Sequence, residues 1–218
     1  PSIGNYELSL DDFEAVFVHE FGHFAGLDHT QVHGLALPPD TDVPGVTLPI
    51  ETMYPFLYDA AQKTPERDDV VALSVLYPSS TFATSTGRIT GRVLTSNGVP
   101  LSGANVVAHN VADDSDAISY VSGATIVPPG AYTIAGLTPG ASYRVEVQEV
   151  DSVNTGGSRV GPFSPPIVLP GPPEAYNGAA ESSDPAVDDP SLATPIVAVA
   201  GATASGIDVA LNYQSFAV

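Results

Sequence analysis

Residues 19–29 read His-Glu-Phe-Gly-His-Phe-Ala-Gly-Leu-Asp-His and belong to a stretch whose apolar residues recur at helical spacing. Because residues four apart on an α-helix lie on nearly the same face, His19 and His23 project their rings side by side. Glu20 sits next to that face, close enough for its carboxylate to act on a metal-bound water. His29 follows a glycine that lets the chain turn sharply, so it approaches from outside the helix. The pattern predicts three neutral imidazoles and one open position, which is typical of a catalytic zinc.

The helix that carries this motif is expected to begin after Ser9 and to run to Phe24. Ser9 is a good N-cap residue, and two aspartates follow it in the first turn, where the helix dipole favours negative charge. Gly26 ends the helix by taking a left-handed conformation. A second helix is expected from the Thr-Pro-Glu sequence at residues 64–66, which supplies a cap and a first-turn proline, and it stops at Pro78.

The motif at residues 19–29 resembles the extended zinc motif of the metzincin peptidases, and its neighbours are similar to the matrixin branch of that family. Thr30 stands where matrixins have a small hydroxyl residue. Residues 51–55, Glu-Thr-Met-Tyr-Pro, resemble the Met-turn, and residues 68–77 resemble the closing helix of the family. The resemblance covers about residues 6–78. It implies a metzincin-type, mainly helical piece over residues 1–80.

The resemblance assigns a role to each residue of the motif. His19, His23 and His29 are expected to bind zinc. Glu20 is expected to be the general base that takes a proton from the attacking water and returns it to the leaving amine.

The resemblance to the Met-turn also implies a residue beneath the zinc site and a substrate pocket. Met53 is expected to lie beneath the zinc site. Tyr54 and Pro55 are expected to line the pocket for the substrate residue after the scissile bond. Tyr58 either reaches the cleft or packs, and packing is favoured; no tyrosine is assigned as a metal ligand.

Two features depart from the matrixin pattern. The connection between His29 and Met53 is long, so an insertion must be looped out, and His33 within it is expected to face solvent. Only eight residues precede Ser9, whereas metzincins carry an upper, mostly β subdomain whose edge strand holds the substrate. The chain is therefore expected to be a fragment that lacks most of that subdomain.

After a Ser/Thr-rich linker at residues 81–86, the hydrophobic period changes from helical to alternating. Short runs that favour strands, separated by Gly and Pro turns, lie at residues 88–95, 104–109, 131–135 and 142–147. Residues 151–193 are dense in Pro, Gly, Ser and Asp and are expected to form a surface excursion. Strand texture returns at residues 196–199 and 206–213.

This second half resembles the carboxypeptidase regulatory-like domain, a transthyretin-like β-sandwich. The resemblance implies an all-β sandwich over residues 87–218 with an accessory role, so the expected fold class is a mainly helical α+β piece followed by this sandwich. His109 is isolated and is expected to be structural or on the surface.

Composition limits the partners of the chain. Its 218 residues include 25 acidic and 6 basic ones, a formal net charge of −19, which argues against nucleic acids and anionic membranes. The absence of cysteine excludes disulfides, cysteine-ligated metals and thiol nucleophiles. The stretch Pro195–Ala204 is too short to span a bilayer. The acidic runs at residues 113–116 and 184–189 are expected to be solvated charge, with Ca²⁺ binding as the less favoured alternative.

Two functions from different classes follow from these observations. The first is a zinc-dependent endopeptidase, secreted or on the cell surface, that acts on protein or peptide substrates. The alternative is a non-catalytic extracellular adhesion module in which the metal helix is structural or a remnant. The sequence leaves the oligomeric state open.

Overall fold

The computed structural model of the chain describes residues 8–33, 48–124, 127–151, 160–163, 167–169, 173–189 and 192–212. Three α-helices lie within these ranges: α1 (Leu10–Phe24), α2 (Arg67–Leu76) and α3 (Phe82–Ser85). Single 3₁₀ turns span Ala60–Lys63 and Gly178–Ala180. None of the described helices has the length and apolar character needed to cross a bilayer.

Nine strands follow the helices within the described ranges. They are β1 (Gly87–Leu94), β2 (Asn105–Asn110), β3 (Asp113–Val121), β4 (Ala131–Leu137), β5 (Ser142–Gln148), β6 (Glu174–Ala175), β7 (Ile196–Val197), β8 (Thr203–Ser205) and β9 (Val209–Ala210). One sheet has the order β4-β1-β8, with β9 also paired to β1. The other has the order β3-β2-β5-β6, with β7 also paired to β5. β1 is antiparallel to β4 but parallel to β8 and β9.

The two sheets share one hydrophobic core. Alternate residues of β1 point inward, so Ile89 and Val93 are fully buried, and they meet Val106 and Val145 of the other sheet in the same cluster. Helix α2 adds Val71 to this cluster, 3% exposed. Because removing apolar surface from water is the main favourable term in folding, this shared cluster holds α2 against the sheets.

The expected fold class, a mainly helical α+β piece followed by an all-β sandwich, is wrong. The described chain is mostly β, and its three α-helices do not form a helical layer. Helix α1 buries only Ala15, while Phe17 and Phe24 on its apolar stripe are 62% and 84% exposed. Helical spacing predicted α1 itself, but a helix makes a helical domain only when its apolar face packs on another helix.

Several local expectations agree with the structure, and others do not. α1 begins after Ser9, whose hydroxyl accepts the Asp12 N–H at 3.1 Å in a capping box.

The long strand β3 lies where an acidic run was expected. The excursion at residues 151–193 contributes β6 to a sheet, and its described part buries Asp188 completely. The expected division into two domains stays a prediction, with α3 lying within the expected linker.

Asp116 on β3 joins helix α2 to the sheets. Its carboxylate accepts hydrogen bonds from Arg67 Nε at 3.0 Å, Asn110 Nδ2 at 3.0 Å and the Tyr143 hydroxyl at 2.5 Å. Burial alone would raise the pKa of Asp116, but the Tyr143, Arg67 and Asn110 hydrogen bonds hold that pKa below its ordinary value. The carboxylate is therefore ionised and fully bonded where α2 meets β3.

We expect Asp116→Ala to lower the free energy of unfolding by about 3 kcal/mol, because it removes the acceptor of a buried hydroxyl and a buried amide together with the charged partner of Arg67. Urea unfolding of the metal-free chain measures this loss. Asp114→Ala, which removes an exposed carboxylate from the same strand, is the matched control and should change stability little. Equal midpoints for the two variants would contradict the role of Asp116.

Candidate metal centre

The structure brings the three motif histidines together. His19 and His23 lie one turn apart on α1, and Gly26, with φ of 95°, turns the chain after the helix so that His29 returns to the same point. The Nε2 atom of His29 lies 3.1 Å from that of His23 and 3.3 Å from that of His19. Their ligand atoms all lie within 4.8 Å of one another.

Backbone carbonyls fix the protonation of two of the rings. Nδ1 of His19 lies 2.7 Å from the Thr52 carbonyl oxygen, and Nδ1 of His23 lies 3.0 Å from the Leu27 carbonyl oxygen. A carbonyl oxygen only accepts, so each Nδ1 carries a proton, and in the neutral tautomer the lone pair of Nε2 faces the shared centre. This second set of contacts is the kind that orients metal-binding histidines.

The residues present fit a metal ion. Lone pairs that face one another at this distance repel unless a cation lies among them. For a tetrahedral ion with metal–nitrogen bonds of about 2.0–2.1 Å, the nitrogens are about 3.3 Å apart. The observed separations of 3.1 and 3.3 Å match that edge. In the described part of the chain, these three histidines are the group of side chains able to hold a metal ion.

Residues 51–55, the segment that resembles a Met-turn, pack against helix α1. Met53 is 2% exposed, and a Cβ at Gly22 would overlap its sulfur, so the missing side chain of Gly22 lets Met53 approach the backbone of α1. The Thr30 N–H donates to the Met53 carbonyl at 3.1 Å, which ties the segment after His29 to this turn.

Asp69 of α2 holds the same turn from the other side. Its carboxylate accepts the N–H of Thr52 at 2.8 Å and of Met53 at 3.1 Å, as well as that of Glu66 at 2.9 Å. Thr52 in turn orients His19 through its carbonyl. Sequence reasoning placed Asp69 in the closing helix but assigned it no role, because its partners lie 16 and 17 residues away.

A pocket of about 140 Å³ opens beside His19. Glu20, Tyr54 and Pro55, all predicted site residues, line it together with His19. Glu20 is exposed, whereas Tyr54 is 8% exposed, and burial together with the Asp151 charge raises the pKa of Tyr54. Tyr58 is 43% exposed, which contradicts the favoured expectation that it packs.

His33 was expected to face solvent, and this is wrong. It is 3% exposed, its Nδ1 lies 2.6 Å from Glu51 Oε1, and its Nε2 lies 3.0 Å from the Asp114 carbonyl oxygen. Burial alone would lower the pKa of His33, but the hydrogen bond and charge of Glu51 raise it overall. Its partners come from the Met-turn and from β3, and no local pattern reveals either contact. The rest of the insertion, residues 34–47, lies outside the described residues.

The acidic runs serve as hydrogen-bond acceptors. Asp113 Oδ1 accepts from the backbone and hydroxyl of Ser115, and buried Asp188 accepts from Asn177 Nδ2 at 2.9 Å and from the Ser182 N–H at 2.8 Å. Neither run forms a three-ligand group among the described residues. Isolated His109 is partly buried, and burial lowers its pKa to about 4.

Asp68 is a buried carboxyl beside the site. It accepts the Ser119 N–H at 2.7 Å and the Ser119 hydroxyl at 3.1 Å. Burial, opposed by the Ser119 hydrogen bond and reinforced by the Glu51 charge, raises the pKa of Asp68 to about 7. Burial raises the pKa of Asp69 to about 6, opposed by the backbone hydrogen bonds of Glu66, Met53 and Thr52 and reinforced by the Glu51 charge.

Comparisons with known proteins add little to this geometry. No family model matches the chain. No curated protein matches it either. A solved structure that matches is the dioxygenase domain of a dioxygenase–carbohydrate-binding protein fusion from the cellulolytic bacterium Streptomyces sp. SirexAA-E, at 16% identity over 62% of this chain and 85% of that chain. With a TM-score of 0.28, this likeness supports no conclusion about fold or activity.

We expect Gly22→Ala to lower the free energy of unfolding by about 1–3 kcal/mol, because the new methyl group displaces the Met53 sulfur. The sign is diagnostic, since Gly→Ala in a helix interior otherwise stabilises by roughly 0.5–1 kcal/mol. Urea unfolding of the metal-free chain measures it. The same substitution in a Met53→Ala background should lose its penalty. A Gly22→Ala chain as stable as the unaltered one would refute the close packing.

We expect the buried Asp68 carboxyl to contribute a loss of stability to the metal-free chain as pH rises from about 4 to about 7. In this window, folded Asp68 holds a proton that the unfolded chain, with its ordinary pKa of 3.8, has released. Because the folded state binds more protons there, stability falls with rising pH. Asp68→Asn should make that fall smaller, and the exposed control Asp114→Asn should leave it unchanged. Urea titrations across this range with equal slopes for all three chains would exclude the buried carboxyl as a cause.

Proposed function

We propose that the chain is the metal-binding part of a zinc-dependent endopeptidase that hydrolyses peptide bonds in protein substrates. One observation carries the proposal: Nε2 atoms of His19, His23 and His29 converge at 3.1 and 3.3 Å beside a pocket that also presents the Glu20 carboxylate. Three protein ligands would leave one position for water or substrate, and the pocket lies beside one of those ligands, His19. A closed structural site has no such corner.

The donor set favours zinc among the common metal ions. Imidazole nitrogens suit zinc, and three protein ligands with one open position are typical of its catalytic sites. Zinc bound there supplies Lewis acidity, which polarises a carbonyl oxygen and acidifies water. His19 and His23 bind through Nε2 because the Thr52 and Leu27 carbonyls hold the protons on Nδ1.

Glu20 is the residue proposed to move the proton. It follows His19 on α1, lines the pocket and is exposed, so no described group takes its carboxylate out of reach of water. It accepts a proton from the attacking water and gives it to the amine that leaves when the carbon–nitrogen bond breaks. Hydrolysis then balances, with the water oxygen on the new carboxyl group.

The pocket is proposed to take one substrate side chain. Its wall combines His19 with the apolar groups of Val16, Pro55 and Leu57, and Tyr54 closes one side. A volume of about 140 Å³ suits a single apolar side chain of moderate size. We propose a secreted or cell-surface location as part of the same function, because the net charge of −19 favours solubility and disfavours nucleic-acid partners.

We expect Glu20→Gln to reduce chelator-sensitive cleavage of a quenched peptide by the zinc-loaded chain about 10²- to 10⁴-fold, the usual contribution of a general base. Zinc affinity should stay unchanged, because Glu20 is not a ligand. Glu14→Gln, at another exposed glutamate of α1 that lies outside the pocket, is the matched control.

Two outcomes would contradict the proposal. Near-native turnover by Glu20→Gln would show that Glu20 is not the general base. A chain that binds no zinc would favour the non-catalytic adhesion module.

A further inference from the structure

We propose that the β sheets are part of the metal centre, because they hold the third ligand, His29, through the positioning residue Gln31. This inference rests on the metal site of the proposed function. Two of the ligands, His19 and His23, are fixed by one helix. His29 lies beyond the end of that helix, so other contacts must determine where its ring stands.

The segment that carries His29 is held by the β half of the chain as well as by residues 51–53. His29 itself forms a parallel backbone bridge with Val160. The Thr30 hydroxyl lies 3.3 Å from that of Ser119 on β3. Val32 packs in a small buried cluster with Val107 of β2 and Ala117 of β3.

Gln31 makes the tightest of these connections. It is 0% exposed, and its Nε2 donates to the Glu149 carbonyl at 2.6 Å. Its Oε1 accepts the Asp151 N–H at 2.9 Å. Because the amide is planar, two bonds at its opposite ends fix both the position and the orientation of the side chain. Gln31 therefore links the ligand segment to the backbone that leaves strand β5.

Strand β5 is a rigid anchor. It lies inside its sheet, paired to β2 on one side and to β6 and β7 on the other, and Tyr143, Val145 and Val147 are fully buried. A ligand tied to such a strand is held in place before the metal arrives. Because the third imidazole is already ordered, metal binding loses less free energy to ordering it, which is the general advantage of preorganisation.

The proposal gives the β region a role that its resemblance to an accessory domain does not include. The β region supplies the backbone groups to which Gln31 is hydrogen-bonded. Helix α1 alone supplies only two of the three ligands. Side chains that orient a ligand without touching the metal commonly change metal affinity about 10- to 100-fold.

The test measures the affinity of the full chain for Zn²⁺ by competition with a coloured chelator, and the visible spectrum of the Co²⁺-loaded chain. We expect Gln31→Ala and Gln31→Met to weaken Zn²⁺ binding about 10- to 100-fold. Their Co²⁺ absorption should shift toward that of His29→Ala, which reports the loss of the third imidazole. Gln31→Met keeps the side-chain length and leaves no void. If Gln31→Ala fails to fold, Gln31→Met therefore still measures the loss of the two hydrogen bonds alone.

Asn212→Ala is the matched control. Asn212 is also buried, and its side-chain amide donates to the backbone carbonyl of Asp188 at 2.7 Å, in another part of the core. This variant should lower stability and leave Zn²⁺ affinity and the Co²⁺ spectrum unchanged. Unaltered affinity and spectrum in Gln31→Met, or an equal loss in Asn212→Ala, would overturn the proposal.

The two proposals fail in different ways. If the variants bind Zn²⁺ in the expected order but Glu20→Gln cleaves peptide as fast as the unaltered chain, the proposed mechanism of the endopeptidase fails and the role of Gln31 stands. If peptide is cleaved and the Gln31 variants bind Zn²⁺ like the unaltered chain, the role of Gln31 fails alone.

Discussion

Three imidazole nitrogens that face one another across 3.1 and 3.3 Å form the constraint on which the rest of the structure depends. Neutral rings in this arrangement present lone pairs to one another, and a cation at their centre converts the repulsion into binding. The surrounding backbone supports this arrangement: two carbonyl oxygens accept hydrogen bonds from Nδ1 of two rings, and Met53 packs against the helix in the space that Gly22 leaves. A site this crowded is stable only where every ring is held separately.

A buried polar layer connects that site to the sheets. Glu51, Asp68, Asp69 and His33 lie between the Met-turn, α2 and β3, and each is at most 6% exposed. Burying several carboxyl groups is costly unless they are paired, hydrogen-bonded or protonated. Here they accept backbone N–H groups or pair with His33, so the cost is offset by contacts that fix the position of one element on another. The layer specifies how the helices meet the sheets.

Sequence patterns predicted the arrangement of residues that are close together in the chain and missed the contacts between residues that are far apart in it. The shared face of His19 and His23 follows from helical geometry over four residues, and Ser9 identifies the start of the helix for the same reason. The approximate positions of β1, β2, β4 and β5 follow from alternation. The contacts of His33, Asp116 and Gln31 join residues that are far apart in the chain, and no spacing rule gives them. The fold class was wrong because periodicity reveals an apolar face but not the element that covers it.

The central claim, that the three histidines share one metal ion and leave a position open, is tested most directly by X-ray absorption spectroscopy of the zinc-loaded chain. The account predicts one zinc per chain, with scattering from three imidazoles and one further light ligand at about 2.0 Å. Zinc surrounded only by carboxylate and water oxygens, or a spectrum with one imidazole or none, would contradict it.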